Sequence, residues 1–295
     1  QHMPGLAYGV VLDGKLLYAG GLGFSNLEKK YSADATSLFR IASMSKSFTA
    51  LAILQLRDAG KLDLDDPASK YIPEMKKLKY LTTDAPAITI RDLMTHGAGF
   101  PEDNPWGDRQ LADTDAELRK LMAAGPAFSN VPGVEYEYSN VGFALLGQIV
   151  QVVSGMKYDE YTKERIFKPL GMTSTVWEYT KAPEQKLALG YNWLHDAYEN
   201  IPLLHHGSYG AMGGLITSVE DLAKYVAMHL AAWPPRSDAE TGPLKRSSLR
   251  EMHHPWRFSR LNTRFRYPNG RECATASAYA YGLSWTQDCE GRVTV

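Results

Sequence analysis

Ser43 and Lys46 stand three residues apart in the run Phe39-Arg40-Ile41-Ala42-Ser43-Met44-Ser45-Lys46-Ser47-Phe48. The run opens an apolar stretch predicted to be a helix as far as Ala59, with Gly60 as its stop signal. Residues three apart share one helix face, so the hydroxyl and the amine can touch. An amine in that place can take the hydroxyl proton and make the serine a nucleophile. At a helix start, free N–H groups and the dipole also favour negative charge on the oxygen. The pattern is the S-x-x-K of serine acyl transfer. A second copy, Ser154-Gly155-Met156-Lys157, has the wrong polarity. Gly155 is expected to end a helix there, which leaves Ser154 as a cap at its C-terminus.

Tyr138-Ser139-Asn140 precedes a second long apolar helix, predicted from Asn140 to Val153 with Gly142 and Gly147 permitting close packing. A tyrosine can serve as general base or acid if nearby positive charge lowers its pKa. The asparagine amide can donate to a substrate carbonyl or satisfy a lysine ammonium. Tyr-x-Asn recurs at Tyr198-Glu199-Asn200 and Tyr267-Pro268-Asn269, in segments that read as irregular and polar. Only Tyr138 is presented by a rigid element, as a catalytic group needs.

The elements that must position these groups read as follows. Leu6 to Leu12 and Lys15 to Gly20 form a hairpin around Asp13-Gly14. Short helices follow at Ile90 to Thr95 and Asp113 to Ala123, then one at Tyr158 to Phe167 closed by Lys168-Pro169-Leu170-Gly171. Ser218 caps a helix to Leu230, and Arg246 to His253 is another. Trp233 to Gly242 is a surface loop, Ser259 to Ala276 reads as irregular, and Tyr279 to Thr286 returns to strand character. Strands at both ends with helices between predict an α/β (α+β) fold, with one antiparallel sheet formed by both chain ends and a helical insertion. Residues 1–60 hold the first strands and the nucleophile helix. Residues 61–212 are the mostly helical region, and 213–295 return to the α/β region.

With 295 residues, the chain is long enough for one large domain or two interleaved ones. A formal net charge of -1 gives no support for a nucleic-acid partner. No apolar run reaches the roughly 20 residues of a membrane span. The sequence starts at Gln1, so a removed export segment is compatible with it. The eight histidines include no His-Glu-x-x-His motif, and His205-His206 and His253-His254 read as loop residues. No metal site and no cofactor is expected. Cys273 and Cys289 match no metal spacing. They could meet across a hairpin, but two unpaired thiols are the simpler expectation.

Several further segments occur in a telling order: His2-Met3-Pro4-Gly5, Ile88-Thr89-Ile90-Arg91-Asp92-Leu93-Met94-Thr95-His96-Gly97-Ala98-Gly99, Lys168-Pro169-Leu170-Gly171-Met172, and Gly213-Gly214-Leu215 with Ser218 and Asp221-Leu222. With the Ser43 and Tyr138 segments, they resemble the serine β-lactamase and penicillin-binding protein superfamily. The branch resembled holds class C β-lactamases, D-Ala-D-Ala peptidases and β-lactamase-like carboxylesterases. The resemblance runs from the start to about Lys224. There is no Ser-Asp-Asn and no Glu-x-x-Leu-Asn, so the glutamate-and-water base of class A enzymes is missing. No Gly-x-Ser-x-Gly elbow is present either. The resemblance also implies a third motif, Lys-Thr-Gly or His-x-Gly, on a strand beside the serine, carrying the second oxyanion donor. No convincing copy precedes Val295, and the strand-like Gly291-Arg292-Val293-Thr294-Val295 reads as a fragment's edge. Losing one such donor costs roughly 10²–10³ in rate.

The resemblance implies a cofactor-free serine hydrolase working through an acyl-enzyme. Ser43 attacks, Lys46 and Tyr138 move protons, and Asn140 orients the substrate amide or Lys46. The loop His96 to Trp106 is expected to wall the pocket, with Phe100 and Trp106 touching substrate. Substrates would be small molecules or peptides: a β-lactam, a D-amino-acid peptide or an ester, with peptidase or esterase activity favoured. The alternative is a penicillin-recognising sensor module that acylates without turnover. A periplasmic or secreted location is favoured by resemblance, and the oligomeric state is open.

Overall fold

Asp13 and Gly14 both take positive φ, 50° and 73°, which matches the right-handed twist of the strands they join. They connect strand β1 (Gly5–Leu12) to β2 (Lys15–Asn26), with Leu12 opposite Lys15. This computed structural model describes residues 2–295. Short β3 (Tyr31–Ser32) pairs with β2, and β4 (Phe39–Arg40) leads into helix α1 (Ser45–Asp58). Gly60, at φ 69°, ends α1 as the sequence implies.

The helical middle follows the capping signals. Thr89 and Asp92 form a reciprocal capping box on α2 (Ile90–Met94). After α3 (Trp106–Arg109), Thr114 and Glu117 do the same for α4 (Asp115–Ala124). Helix α5 (Asn140–Ser154) ends at Gly155 in the left-handed region, and the Ser154 hydroxyl accepts from the Met156 N–H. Gly147 is needed in α5, because a Cβ there would come within 2.5 Å of the Ala211 side chain, whereas Gly142 has ordinary contacts. Residues 158–170 run helically through α6 (Tyr158–Thr162), a π turn and α7 (Lys168–Leu170).

Next come the hairpin β5 (Gly190–Leu194) and β6 (Ala197–Ile201), the short α8 (Gly210–Gly213), and β7 (Ile216–Thr217). Helix α9 (Val219–Leu230), capped by the Ser218 hydroxyl, packs on β1 and β2. After α10 (Arg246–Met252) come β8 (Arg257–Arg266), β9 (Glu272–Tyr279), β10 (Ser284–Asp288) and β11 (Val293–Thr294).

The mixed α/β fold class holds, and the strands at both ends are antiparallel. They lie in separate sheets, however, ordered β1-β2-β3 and β11-β10-β9-β8, with no pairing between them. Two segments read as irregular are hairpins. Tyr198-Glu199-Asn200 is inside β6, and residues 259–276 contribute most of β8 and β9. The 190–201 hairpin is exposed on most of both strands, β8 carries four arginines, and register shifts in β8 break the period-two alternation that would mark a strand.

The sequence favoured unpaired thiols, but Cys273 and Cys289 are disulfide-bonded across the β9–β10 hairpin, with Cα atoms 5.6 Å apart. The sequence fixes neither hairpin register nor side-chain direction, so it left the pair open. Replacing both cysteines by serine opens a short loop and is expected to cost roughly 3 kcal/mol of stability. Urea unfolding measures it. An unchanged midpoint would mean that strand pairing alone holds the hairpin.

Helix α1 is apolar on nearly every side and buried from Ser45 to Leu54. Such a helix belongs at the centre of a core. It carries Lys46 into that core, while the turn before it, residues 42–44, stays at the surface. Among the described residues no helix is long and apolar enough to cross a membrane.

Candidate active site

Ser43 is not in α1 itself. It is the middle residue of a single 3₁₀ turn, Ala42–Met44, that feeds the helix. Ala42 sits at φ +47°, a left-handed conformation that costs a non-glycine residue of order 1–3 kcal/mol. The strained turn leaves Ser43 exposed, while Lys46, one turn further on, has no exposed surface.

Lys46 Nζ lies 3.0 Å from Ser43 Oγ, 2.7 Å from Asn140 Oδ1 and 2.9 Å from the Met212 carbonyl oxygen. The last two are acceptors only. A neutral amine has two N–H bonds and one lone pair. With both N–H bonds taken by Asn140 and Met212, the lone pair faces Ser43 Oγ. Burial pulls the Lys46 pKa down to about 7, against Asp103 and Asp108, which push it up. A substantial neutral fraction at physiological pH follows.

Tyr138 completes the group, its hydroxyl 2.6 Å from Ser43 Oγ and its ring 4.8 Å from Lys46 Nζ. The expectation that positive charge lowers the Tyr138 pKa is corrected. Burial pushes it up to about 12, although the bond to Ser43 works the other way. Tyr138 is a phenol at neutral pH, able to donate a proton but not to act first as a base. Behind it, His96 is buried at φ +55° and its Nδ1 accepts from the Ser139 N–H. Burial, and then Lys46, hold the His96 pKa well below the usual range, so the imidazole is neutral with its proton on Nε2. Its ring lies 4.3 Å from that of Tyr138.

Asn140 was expected to face substrate or Lys46. It is fully buried, with Oδ1 on Lys46 and Nδ2 donating to Asn104 Oδ1 at 2.7 Å. Its oxygen and one amide N–H are committed, and with no exposed surface the amide faces Lys46. Phe100 was expected on the pocket wall but is 2% exposed and stacked on Phe128. Packed on Phe128 in the core, it cannot touch a ligand. Trp106 is 45% exposed, edge-on to Tyr209, on the helix whose Gly107 packs against Asn140. It remains free to meet a ligand.

Asp103, Asn104, His96 and the Met212 carbonyl were missed as individual groups. His96 lies in a segment read only for its order, and a backbone carbonyl leaves no signal in a sequence. His205-His206-Gly207 has the third motif's spacing, but it lies off any strand, and His205 is exposed against Glu178. A cleft lined by Gln55, Lys61, Arg165 and Lys245 lies at the far end of α1 from Ser43. Among the described residues no cluster of His, Cys, Asp or Glu could hold a metal ion.

The sequence matches the family model described as Beta-lactamase over residues 1–291. The chain belongs to the beta-lactamase family. Protein flp of Staphylococcus aureus (strain COL) is 31% identical over 293 residues, covering 97% of this chain and 53% of that protein. The chain therefore spans about half the length of the curated relatives it matches. The octameric penicillin-binding protein homologue from Pyrococcus abyssi superposes with a TM-score of 0.76 at 28% identity, over 98% of this chain and 63% of that one. EstCE1, described as a hydrolase with promiscuous acyltransferase activity, gives 0.69 at 19% identity, over 98% and 86%. At that identity it speaks to the fold alone. Family and neighbours together place this beta-lactamase-family chain in the serine β-lactamase and penicillin-binding protein superfamily, with a serine hydrolase-type fold.

Proposed function

We propose that this chain carries the acylation machinery of a serine hydrolase that cleaves ester or amide carbonyls through an acyl-enzyme. The observation that carries the reading is the commitment of both Lys46 N–H bonds, which aims its lone pair at Ser43. Lys46 takes the hydroxyl proton, and Ser43 Oγ bonds to the substrate carbonyl carbon. Tyr138 gives its proton to the leaving oxygen or nitrogen, and the Lys46 ammonium restores it. In the second half, water loses a proton to Lys46, attacks the acyl carbon, and releases Ser43 Oγ, which recovers its proton. The Ser43 N–H, at a helix start, stabilises charge on the carbonyl oxygen.

Within this class we favour an esterase or peptidase over a β-lactamase. A cephalosporin carries an acylamide that needs a donor to orient it, and the Asn140 amide is buried and spoken for. Short p-nitrophenyl esters are expected to give a higher kcat/KM than a cephalosporin on the complete protein. Faster cephalosporin turnover would reverse the assignment to a β-lactamase. A single burst of product without turnover would select the sensor module. The disulfide supports an oxidising compartment, periplasmic or extracellular.

A further inference from the structure

We infer that the turn Asp103-Asn104 is a positioning element for the nucleophile's base: Asp103 clamps the start of α5, and Asn104 fixes which end of the Asn140 amide faces Lys46. The inference rests on the acyl-enzyme reading and adds residues that never touch the reacting atoms.

The clamp is direct. The Asp103 carboxylate accepts from the Asn140 N–H at 2.8 Å and the Val141 N–H at 2.9 Å, two of the free donors at the start of α5. The Asp103 carbonyl accepts from Gly107 at 2.7 Å, which seats α3 against Asn140. Gly107 is required there, since a Cβ would come within 2.8 Å of the Asn140 Cβ. Asn104 is exposed, yet its Oδ1 reaches the fully buried Asn140 Nδ2.

That bond matters because an amide has two different ends. With Oδ1 towards Lys46, the amine donates to Asn140 and keeps its lone pair for Ser43. With the amide turned over, Nδ2 would donate into the lone pair and take it from the serine. The turned state would favour neutral amine but make it useless as a base. The acceptor that Asn104 presents holds Nδ2 outward and disfavours that state. The other groups facing Lys46 are Tyr138, His96, Asp103 and Asp108, with Asp108 itself 3.8 Å from Arg40.

The test is the rate of Ser43 labelling by a fluorophosphonate from pH 5 to 9, on the full chain. Wild type, Asn104→Leu and Asn104→Asp are compared, with thermal melts alongside. Wild type is expected to rise through a limb near pH 7 to a plateau. Asn104→Leu, without the acceptor, should drop the plateau about tenfold and move the limb down by about one pH unit, the scale of one hydrogen bond to a charged group. Asn104→Asp keeps the acceptor and adds negative charge, so its limb should move up. Opposite shifts at one exposed position are not what a merely structural residue produces. Limbs that coincide with wild type, or move the same way in both variants, overturn the inference and leave the acyl-enzyme reading standing. A wild type without a limb near neutral pH, or one that Lys46→Ala retains, overturns both.

Discussion

Ser43→Ala is expected to leave the protein folded and to lower kcat for an activated ester by roughly 10⁶, the scale seen when a serine nucleophile is removed. Nothing else in the site can take over. Tyr138 is a phenol with its pKa raised to about 12, and the Lys46 amine lies a turn deep in the core with no exposed surface. Folding should hold, because Ser43 is exposed and its side chain bonds only to Tyr138 and Lys46. Circular dichroism checks the fold, and ester hydrolysis the rate. Residual kcat within tenfold of wild type would mean another nucleophile.

Lys46→Ala is expected to lower kcat by about 10²–10⁴, the range of a positioned general base, and to change the shape of its pH dependence. The sign follows from the lone-pair argument. In the proposed mechanism Lys46 acts when neutral, so wild-type rate should rise as pH rises through about 7 and then level. In the same mechanism Tyr138 acts when protonated, so no fall is expected until pH approaches about 12. Without Lys46 the limb near 7 disappears. Tyr138→Phe should lower the rate by a similar range but keep that limb, since the base is intact. If Tyr138→Phe erases the limb and Lys46→Ala does not, the two roles are exchanged.

The geometry of this site was legible because short local spacings and helix starts define it. Three-residue spacing put Ser43 beside Lys46, and the apolar run from Asn140 marked a rigid carrier for Tyr138. The ordered segments then pointed to the superfamily. What the sequence hid was direction and depth. Phe100 and Trp106 are both aromatics of one loop, yet one is core and the other surface, which only tertiary packing decides. The direction of the Tyr138 shift depended on burial outweighing the bond to Ser43, with the nearby carboxylates acting the same way as burial, and burial is not written in spacing. Asp103 and Asn104 act through a turn that meets α5 more than thirty residues later, a contact without local periodicity. The exposed hairpins at 190–201 and 257–279 lack the one-sided apolar pattern that makes a strand readable.

The most direct test of the central claim is to trap the acyl-enzyme. The protein is incubated with a fluorophosphonate or a slowly released acyl donor, its intact mass is measured, and the adduct is located by peptide mapping. One adduct per chain is expected, on the peptide containing Ser43, absent from Ser43→Ala and formed more slowly below pH 7. An adduct on any other residue, or labelling that survives Ser43→Ala, would contradict the account.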